Sequence, residues 1–476
     1  MLGVAAKADE ISDRQRSAAF VAVVIAFVLE VADSTIVNTA LPAIKSQLGG
    51  GESAMQWIAA AYFLTLGSFL LVGGRLGDIF GYRRVFLIGI GLFTLASCLC
   101  GIASSAEQLV GARLLQGAAG ALMAPQVMAI VQVLFSPIER VAKLAWFGVL
   151  GGLAAILGPI LGGILIEVDF LGLGWRMIFL INLPIGLLAL AASARFVPVV
   201  EKAADTRIDF AGAALFIVAF ALMILGLIEG PELGWPIWCL AAILAGAFTL
   251  ALGWAHARRH SATGRAAIIA PELFRLRTFL WGILAVGFFA AAASGFLLVF
   301  AISLQQGLGL TALDTAIRHI PFGLGVMAGI SLIGRHFLPR FGKWLIVAGA
   351  LLIAAAGSLA FYSINAGDSG MVLIVLLGLA GIGMGMVMGP LPPVIVAEVE
   401  RTKAGTASAM MRTAQQIGGA IGIALIGAAY FSVQGNDQLA RLEGLLPAAA
   451  AFLVALMVTT AFALQLPKDI FGRRAD

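Results

Sequence analysis

Three ionisable residues stand inside long apolar stretches of the sequence, where charge is costly. Glu30 and Asp33 lie in the apolar run that begins at Ser17, and Arg113 lies in a later run. Because Glu30 and Asp33 are three residues apart, a helix carries both carboxylates on one face. In a low-dielectric cavity, at least one such carboxylate is expected to gain and lose a proton near neutral pH. An arginine that meets them in only one conformation links proton uptake to a structural change, so we predict Asp33, Glu30 and Arg113 as proton-coupling residues.

A static arrangement of the same residues remains an alternative. In it, Asp33 forms a fixed ion pair with Arg113, and Glu30 only lines water. Arg412 lies early in a later apolar run. We expect its long side chain to extend toward the cytoplasm and not to enter the cavity.

Catalytic groups are not evident around these charges. The four histidines occupy loop or helix-end positions without a paired nucleophile: His256, His260, His319 and His336. The three cysteines lie in apolar runs, without the spacing of a disulfide framework or a metal site: Cys98, Cys100 and Cys239. A nucleotide-binding loop of the form GxxxxGKS/T is also missing from the sequence. We therefore expect no enzymatic activity, no metal and no cofactor, with protons as the coupling ion.

The composition identifies the elements that must position these residues. Of the 476 residues, 61% are hydrophobic and only 12% are charged. A soluble chain needs about a quarter of its residues charged, so lipid must cover this one. The 58 glycines fit that assignment, because membrane helices pack through close backbone approach. The net charge of +5 comes from bases scattered in short loops, which argues against a nucleic-acid partner.

Fourteen apolar segments are long enough to cross about 30 Å of hydrocarbon as helices. They are centred on residues 17–40, 55–74, 85–105, 108–134, 143–166, 177–197, 210–229, 237–256, 279–304, 315–334, 344–364, 371–397, 405–431 and 446–466. The fold class predicted is an all-α membrane protein with 14 transmembrane helices. With the N-terminus in the cytoplasm, most of the 30 Lys and Arg residues fall in cytoplasmic segments, as the positive-inside rule requires. Both termini are then cytoplasmic.

A weak internal repeat suggests how the helices are grouped. Aligning Ala124-Pro125 with Gly389-Pro390 also superposes Met123 on Met388. Helices 4 and 12 are then equivalent, and helices 7 and 8 become an insertion between two halves. We predict a 6+2+6 plan of the kind used for alternating access. Its units are an N-terminal six-helix bundle (1–198), two inserted helices with flanking loops (199–265) and a C-terminal six-helix bundle (266–476).

The most specific motif lies between the second and third segments. It contains Gly74, Asp78, Gly81, Arg83 and Arg84, and it resembles the GxLxDxxGxRR loop of the major facilitator superfamily. The glycines permit a tight turn and close helix approach. Asp78 is expected to cap a neighbouring helix or to pair with an arginine and hold the cytoplasmic face shut. We interpret this segment as a gating loop.

Further motifs resemble one branch of that superfamily, the fourteen-helix drug:proton antiporters. The segment 33–42 resembles DxTIVNxALP, Arg113 with Gln116 and Gly117 resembles RxxQG, and Trp175 to Pro184 resembles WRxxFxxNxP. The antiporter signature GPxxGG is matched by Gly158, Pro159, Gly162 and Gly163. Ala154 stands where the branch has a glycine, a departure that weakens the inference of strict antiport.

The resemblance implies proton-coupled export of small, lipophilic or cationic compounds by alternating access. The substrate contacts predicted for such compounds are aromatic and polar side chains: Trp57, Tyr62, Gln116, Phe288, Phe289 and Gln305. The same scaffold serves a narrow-specificity metabolite or siderophore exporter or a facilitator, and these readings stay open. A non-transporting membrane sensor or scaffold is disfavoured, because intramembrane charges are kept without a soluble signalling domain.

The predicted surroundings follow from this assignment. The chain is expected to be a multi-pass protein of a bacterial inner or plasma membrane, with the lipid bilayer and a small-molecule substrate as partners. It acts either as a monomer or together with periplasmic and outer-membrane export partners. Substrate identity, proton stoichiometry and the role of the two inserted helices are not legible in the sequence.

Overall fold

The computed structural model describes residues 12–199, 208–265, 267–400, 403–433 and 442–467. Fourteen long helices, named α1 to α14 in chain order, dominate these residues. They are α1 Asp13–Leu48, α2 Glu52–Phe80, α3 Tyr82–Gly101, α4 Ala106–Leu134, α5 Pro137–Val168, α6 Gly174–Phe196, α7 Phe210–Glu232, α8 Ile237–Ala262, α9 Arg277–Gly307, α10 Ala312–Ile333, α11 Lys343–Asn365, α12 Met371–Val396, α13 Ala404–Tyr430 and α14 Leu445–Leu464. Strands are absent from these described stretches.

Thirteen of these helices are long and apolar enough to cross a membrane. The other one, α13, has 27 residues and is therefore about 40 Å long, also sufficient to span. The predicted count of fourteen and the all-α fold class are confirmed. The orientation of the termini and the boundaries of the three units stay predictions, and residues 200–207, at the first boundary, lie outside the described residues.

Side-chain caps mark where several of these helices begin. Ser12 and Ser105 accept hydrogen bonds from the backbone N–H groups three residues later, at the starts of α1 and α4. At the start of α5, Ser136 and Glu139 form a reciprocal capping box. These contacts satisfy N–H groups that lack a partner inside the helix. Local polar residues thus define where these helices begin, whereas hydrophobicity defines the part that spans the membrane.

Glycines bring two helices into close contact within each half, and the two pairs occupy equivalent places in the predicted repeat. Between α2 and α4, a Cβ added at Gly73 would collide with the Ala121 carbonyl oxygen. Between α10 and α12, one added at Gly381 would collide with the Phe322 carbonyl oxygen. Packing in lipid depends on such backbone approach. The recurrence of this crossing in α2/α4 and α10/α12 fits the predicted internal repeat.

The inserted helices α7 and α8 form a hairpin that lies against both halves. They pack on each other, and α7 contacts α2 and α13. Where α7 ends, Trp57 Nε1 donates to Glu229 Oε1 at 2.7 Å. The backbone N–H of Ser53 donates to Glu232 Oε2 at 2.7 Å. The hairpin is therefore fixed at the seam where α2 meets α13.

A buried carboxylate fixes the other end of the hairpin. Asp209 precedes α7 and accepts hydrogen bonds from Gly212 N–H at 2.8 Å, His256 Nε2 at 2.9 Å and Ile268 N–H at 3.3 Å. Burial raises the pKa of Asp209, but these hydrogen bonds outweigh it and leave the pKa below the ordinary value of 3.8. The folded state therefore stabilises the ionised form, and this contribution is present above the ordinary pKa and lost as pH falls through the folded-state pKa.

Replacing this carboxylate by an amide tests the contribution. We expect Asp209→Asn to lower the free energy of unfolding by about 1 kcal/mol at pH 7, because charge-assisted hydrogen bonds become neutral ones. The difference from the parent should shrink between pH 7 and about pH 2.5, where the carboxylate of the folded parent protonates. Thermal unfolding at both pH values measures it, with the exposed Asp13→Asn as the matched control. An equal deficit at both pH values would contradict the assigned charge effect.

Candidate functional site

Asp33 is the centre of a fully buried polar cluster. Its Oδ2 accepts a hydrogen bond from Arg113 Nη1 at 2.5 Å, and both side chains are 0% exposed. Its Oδ1 accepts from Gln116 Nε2 and from Asn182 Nδ2, each at 2.8 Å. Both carboxylate oxygens are thus paired, as an ionised carboxylate in an apolar interior requires. In this conformation the pair with Arg113 is closed, as in the static alternative.

Helices α1, α2, α4 and α6 together position this cluster. Arg113 on α4 donates from Nε to the Ile58 carbonyl oxygen at 3.2 Å, and its guanidinium lies 4.4 Å from the centroid of the Tyr62 ring. Asn182 on α6 also donates to Ser97 Oγ at 2.9 Å. Arg113 Nη2 is buried without a hydrogen-bond partner. Because an unpaired N–H group in an apolar interior costs free energy, this conformation leaves part of the Arg113 charge unsatisfied.

Glu30, one turn before Asp33 on α1, pairs with a different arginine. Arg412 Nη2 of α13 lies 3.5 Å from Glu30 Oε2. The Glu30 side chain is 3% exposed and that of Arg412 is 26% exposed. The prediction that Arg412 extends away from the cavity is therefore wrong. Its alkyl chain is long enough to reach the α1 carboxylate, which without a partner would be an uncompensated buried charge.

The two ion pairs have different roles in the architecture. Asp33 and Arg113 both belong to the first six helices, whereas Glu30 and Arg412 join the first six helices to the last six. Asn182 belongs to the motif at the start of α6, but sequence reasoning did not select it for the site. The α1 face carrying Glu30 and Asp33 is thus a shared boundary between the halves, with one acid turned to each side.

The predicted gating loop is a compact turn between α2 and α3. Gly81 has φ +92°, a conformation that favours glycine. Asp78 accepts from Tyr82 Oη at 3.0 Å and lies 4.0 Å from Arg75, within its own motif. It does not cap α3, whose first turn has no side-chain cap, so the capping alternative is wrong for this state. Arg83 donates to the Ala194 carbonyl oxygen, and Arg84 is exposed. Gly74 packs near Pro125 of α4.

The predicted antiporter signature lies on α5, where α5 meets both halves. A Cβ at Gly158 or Gly162 would press on α1 at Thr35 or Ile36. One at Gly163 would lie 2.9 Å from the Ala312 carbonyl oxygen of α10. Pro159 lines a small cavity next to α1. The signature therefore supplies small residues where α5 touches α1 within its half and α10 across the boundary.

Adding one methyl group at this crossing is expected to separate the halves. Gly163→Ala places a Cβ 2.9 Å from both the Ala312 oxygen and the Ala316 Cβ, so α10 must shift. We expect a loss of about 1 to 3 kcal/mol of stability, the usual cost of overpacking. Gly152→Ala on the same helix is the control, because its Cβ would have nothing within 4 Å. Thermal unfolding of the two purified variants gives the comparison, and equal midpoints would show that the crossing tolerates a side chain.

The predicted substrate contacts fall in different surroundings. Tyr62 is fully buried against Arg113, and Gln116 belongs to the Asp33 cluster. Gln305 Nε2 donates to the Thr39 carbonyl oxygen at 2.9 Å, where α9 meets α1. Trp57 bonds to Glu229 on the inserted hairpin. Only Phe288, 40% exposed, lines a large cavity, while its neighbour Phe289 is 4% exposed in the core. Tyr62 and Gln116 are thus the two that accompany the charged groups.

Two histidines lie inside helices and not at the loop or helix-end positions predicted from the sequence. His319 is 4% exposed inside α10, between Phe300 and Phe322. It lines a cavity of about 20 Å³ shared with Thr35 of α1, which is room for about one water. His256 is in contact with Asp209 inside the hairpin. The expectation of loop or helix-end positions is therefore wrong for both, because each sits within a longer helix than the apolar run alone indicated.

The fold and site define a class of protein: a polytopic transporter with an inserted helical hairpin and a charged boundary between its halves. The family model of the Major Facilitator Superfamily matches residues 23–423. The chain belongs to this superfamily, and the resemblance drawn from the motifs is confirmed. It is a multi-pass membrane protein that moves small molecules.

Two relatives and one solved structure illustrate the similarity. The chain is 35% identical over 432 residues to a probable actinorhodin transporter of Streptomyces coelicolor, covering 90% of this chain and 75% of that protein. It is 33% identical over 464 residues to the puromycin resistance protein pur8 of Streptomyces alboniger, covering 94% and 90%. A bacterial homologue of the human lysosomal transporter Spinster, in an inward-facing and unoccupied conformation, aligns with TM-score 0.66 at 18% identity, covering 96% of this chain and 98% of that one. The last similarity concerns the fold alone.

Proposed function

We propose that this chain exports small lipophilic compounds in exchange for protons, with Asp33 and Glu30 as the proton-carrying groups. The observation that carries the proposal is the pairing of two carboxylates on one face of α1 with arginines from opposite halves, Arg113 and Arg412. The names of relatives point the same way, since they describe a probable actinorhodin transporter and a puromycin resistance protein. It is a transporter and not an enzyme, and it uses protons without another cofactor.

Protonation of Glu30 would remove the charge that holds Arg412 to α1, and so release one contact between the halves. Protonation of Asp33 would free Arg113, which already has an unpaired buried donor. Each step changes the relative energies of two conformations, which is what coupling requires. Farther along the boundary, the hydrogen bond from Gln305 of α9 to Thr39 of α1 still joins the two halves in the present conformation.

The charge balance of the site indicates which type of substrate it can attract. Both carboxylates face an arginine, so the paired site has no excess negative charge to attract a cation. This supports lipophilic compounds over cations as the main substrates. A narrow-specificity exporter is the second candidate, because the two relatives described above carry the name of a single compound each. We propose a monomer as the working unit, and periplasmic and outer-membrane partners as additions where the host has them.

Transport in liposomes tests the proposal. The purified protein is reconstituted with an imposed pH gradient, and movement of lipophilic and cationic dyes is followed with and without the gradient. The proposed antiporter concentrates at least one lipophilic dye against its gradient, and collapse of the pH difference stops it. Flux that is the same in both conditions would identify a facilitator and contradict the proton coupling.

A further inference from the structure

A large apolar cavity lies beside the seam between α2 and α13, with the inserted hairpin as its outer wall. Its volume is about 970 Å³, within the range of small-molecule sites. Side chains of α2, α7, α8, α9, α13 and α14 line it. They include Phe216, Leu250, Trp254, Phe288, Ile417 and Val454. The inserted hairpin thus encloses space that would otherwise open directly to lipid.

The hairpin side of the cavity lies toward one face of the membrane, whereas Leu425 near the end of α13 and Ala451 near the start of α14 line its far side. Ala213 and Phe216 are near the start of α7, Trp254 is near the end of α8, and Ile268 follows in the next loop. These positions are at the open end of the hairpin, opposite the loop that joins α7 to α8. The positive-inside prediction assigns that end to the cytoplasm. The cavity therefore adjoins the leaflet that a compound reaches from inside the cell.

Two hydroxyl groups in this lining have no hydrogen-bond partner. Ser68 Oγ on α2 and Thr413 Oγ1 on α13 are both buried and unpaired. Hydroxyls in membrane helices usually donate to a carbonyl one turn earlier, as Thr65 and Thr249 do here at 3.0 and 2.7 Å. Leaving a hydroxyl unpaired in an apolar interior costs free energy. Both oxygens are covered by neighbouring atoms in this conformation, so a ligand reaches them only after a side-chain rotation toward the cavity. A lipid acyl chain cannot satisfy the rotated hydroxyls, whereas a compound with its own hydroxyl or carbonyl can.

The cavity also approaches the charged boundary between the halves. Thr413 follows Arg412, the residue that pairs with Glu30. The seam between α2 and α13, which separates the cavity from this ion pair, is narrow. A Cβ at Gly67 of α2 would lie 2.9 Å from Gln416 Cβ and 3.1 Å from the Ile417 side chain. Separation of α2 from α13 at this glycine would join the cavity to the Glu30 pair.

We propose that this cavity is an access site for uncharged, lipophilic compounds that carry one hydrogen-bonding group and arrive from the adjoining leaflet. The inserted hairpin forms its wall, and Ser68 with Thr413 orients the polar group of the compound toward the seam. The onward path to Glu30 rests on the proposed export function. Binding in the cavity itself does not depend on it.

A pair of matched probes tests the site without any pH gradient. The protein in lipid nanodiscs is titrated with 1-pyrenemethanol and with 1-methylpyrene, which differ in one hydroxyl. Energy transfer from tryptophan reports binding, and Trp254 lies in the lining. We expect the alcohol to bind about three- to tenfold more tightly, the contribution of one hydrogen bond. Equal affinities in the parent protein would overturn the proposal.

Variants locate the binding. Ser68→Ala with Thr413→Val should abolish the preference for the alcohol while leaving the affinity for methylpyrene unchanged. Ala247→Phe with Ala251→Phe fills the cavity and should weaken both probes at least about tenfold. Ala241→Phe with Ala245→Phe is the control, because these alanines are exposed on α8 outside the lining. A preference that survives the first variant, or an equal loss in the control, would overturn the site. Normal binding without gradient-driven export would instead contradict the proposed function alone.

Discussion

Replacing Asp33 with asparagine is expected to abolish export driven by a pH gradient. Asparagine cannot carry the proton, and removal of a proton-transfer group typically costs on the order of 100-fold or more. The same change leaves Arg113 charged and unpaired in a site that is 0% exposed. We therefore also expect a loss of about 3 to 5 kcal/mol of stability. Uphill dye flux in liposomes and thermal unfolding of the purified variant measure the two effects.

A double variant separates the effect on folding from the effect on coupling. Asp33→Asn combined with Arg113→Gln removes both charges, and neutral replacements of a buried ion pair are usually tolerated. Stability should return most of the way to that of the parent, whereas gradient-driven flux should stay absent. If the double variant recovered proton-driven flux, Asp33 would be a structural residue and not a proton carrier.

Replacing Glu30 with glutamine is expected to weaken the coupling between the halves more than the fold. Arg412 is 26% exposed, so it can hydrate when its partner loses charge, and global stability should change by less than about 1 kcal/mol. Loss of a bridge worth just under about 1 kcal/mol between the halves changes the ratio of two conformations by up to about fivefold. We expect gradient-driven flux to fall by up to about fivefold as a result.

Distances between spin labels show whether the conformations shift. Labels at positions 14 and 336 lie on opposite halves, and Glu30→Gln should broaden or displace their distance distribution. Arg412→Gln should produce the same change. Glu139→Gln is the control, because its partner Arg16, at 2.8 Å, belongs to the same half. An unchanged distribution in both site variants, together with normal flux, would show that the Glu30 pair does not couple the halves.

The sequence was sufficient for the helices because burial in lipid makes length and hydropathy decisive. Each of the fourteen apolar segments corresponds to one helix, including α13, which carries Arg412 and adjacent polar residues. The short segments 170–172 and 271–275 form turns of 3-10 helix between spans, and apolar periodicity alone does not predict them. Bounds differ from the predicted centres where caps such as Ser12 extend a helix beyond its apolar part.

The candidate site was legible in part. Glu30, Asp33 and Arg113 could be selected because charged groups in an apolar run are rare and costly, whatever the fold. Asn182 is uncharged, so its presence in an apolar helix carries no such signal. Arg412 was left out of the predicted site, wrongly, because a side chain near a helix end can extend to either side. Only the position of the facing carboxylate decides between them.

The sequence by itself determined the membrane class, the number of spans, the superfamily motifs and the acids on α1, because each depends on local composition or spacing. The tertiary structure decided which arginine each acid meets, which hydroxyls lack partners and where the inserted hairpin lies. Those are contacts between helices distant in the chain. Their energies depend on packing angles and relative rotations of whole helices, which no local pattern of residues specifies.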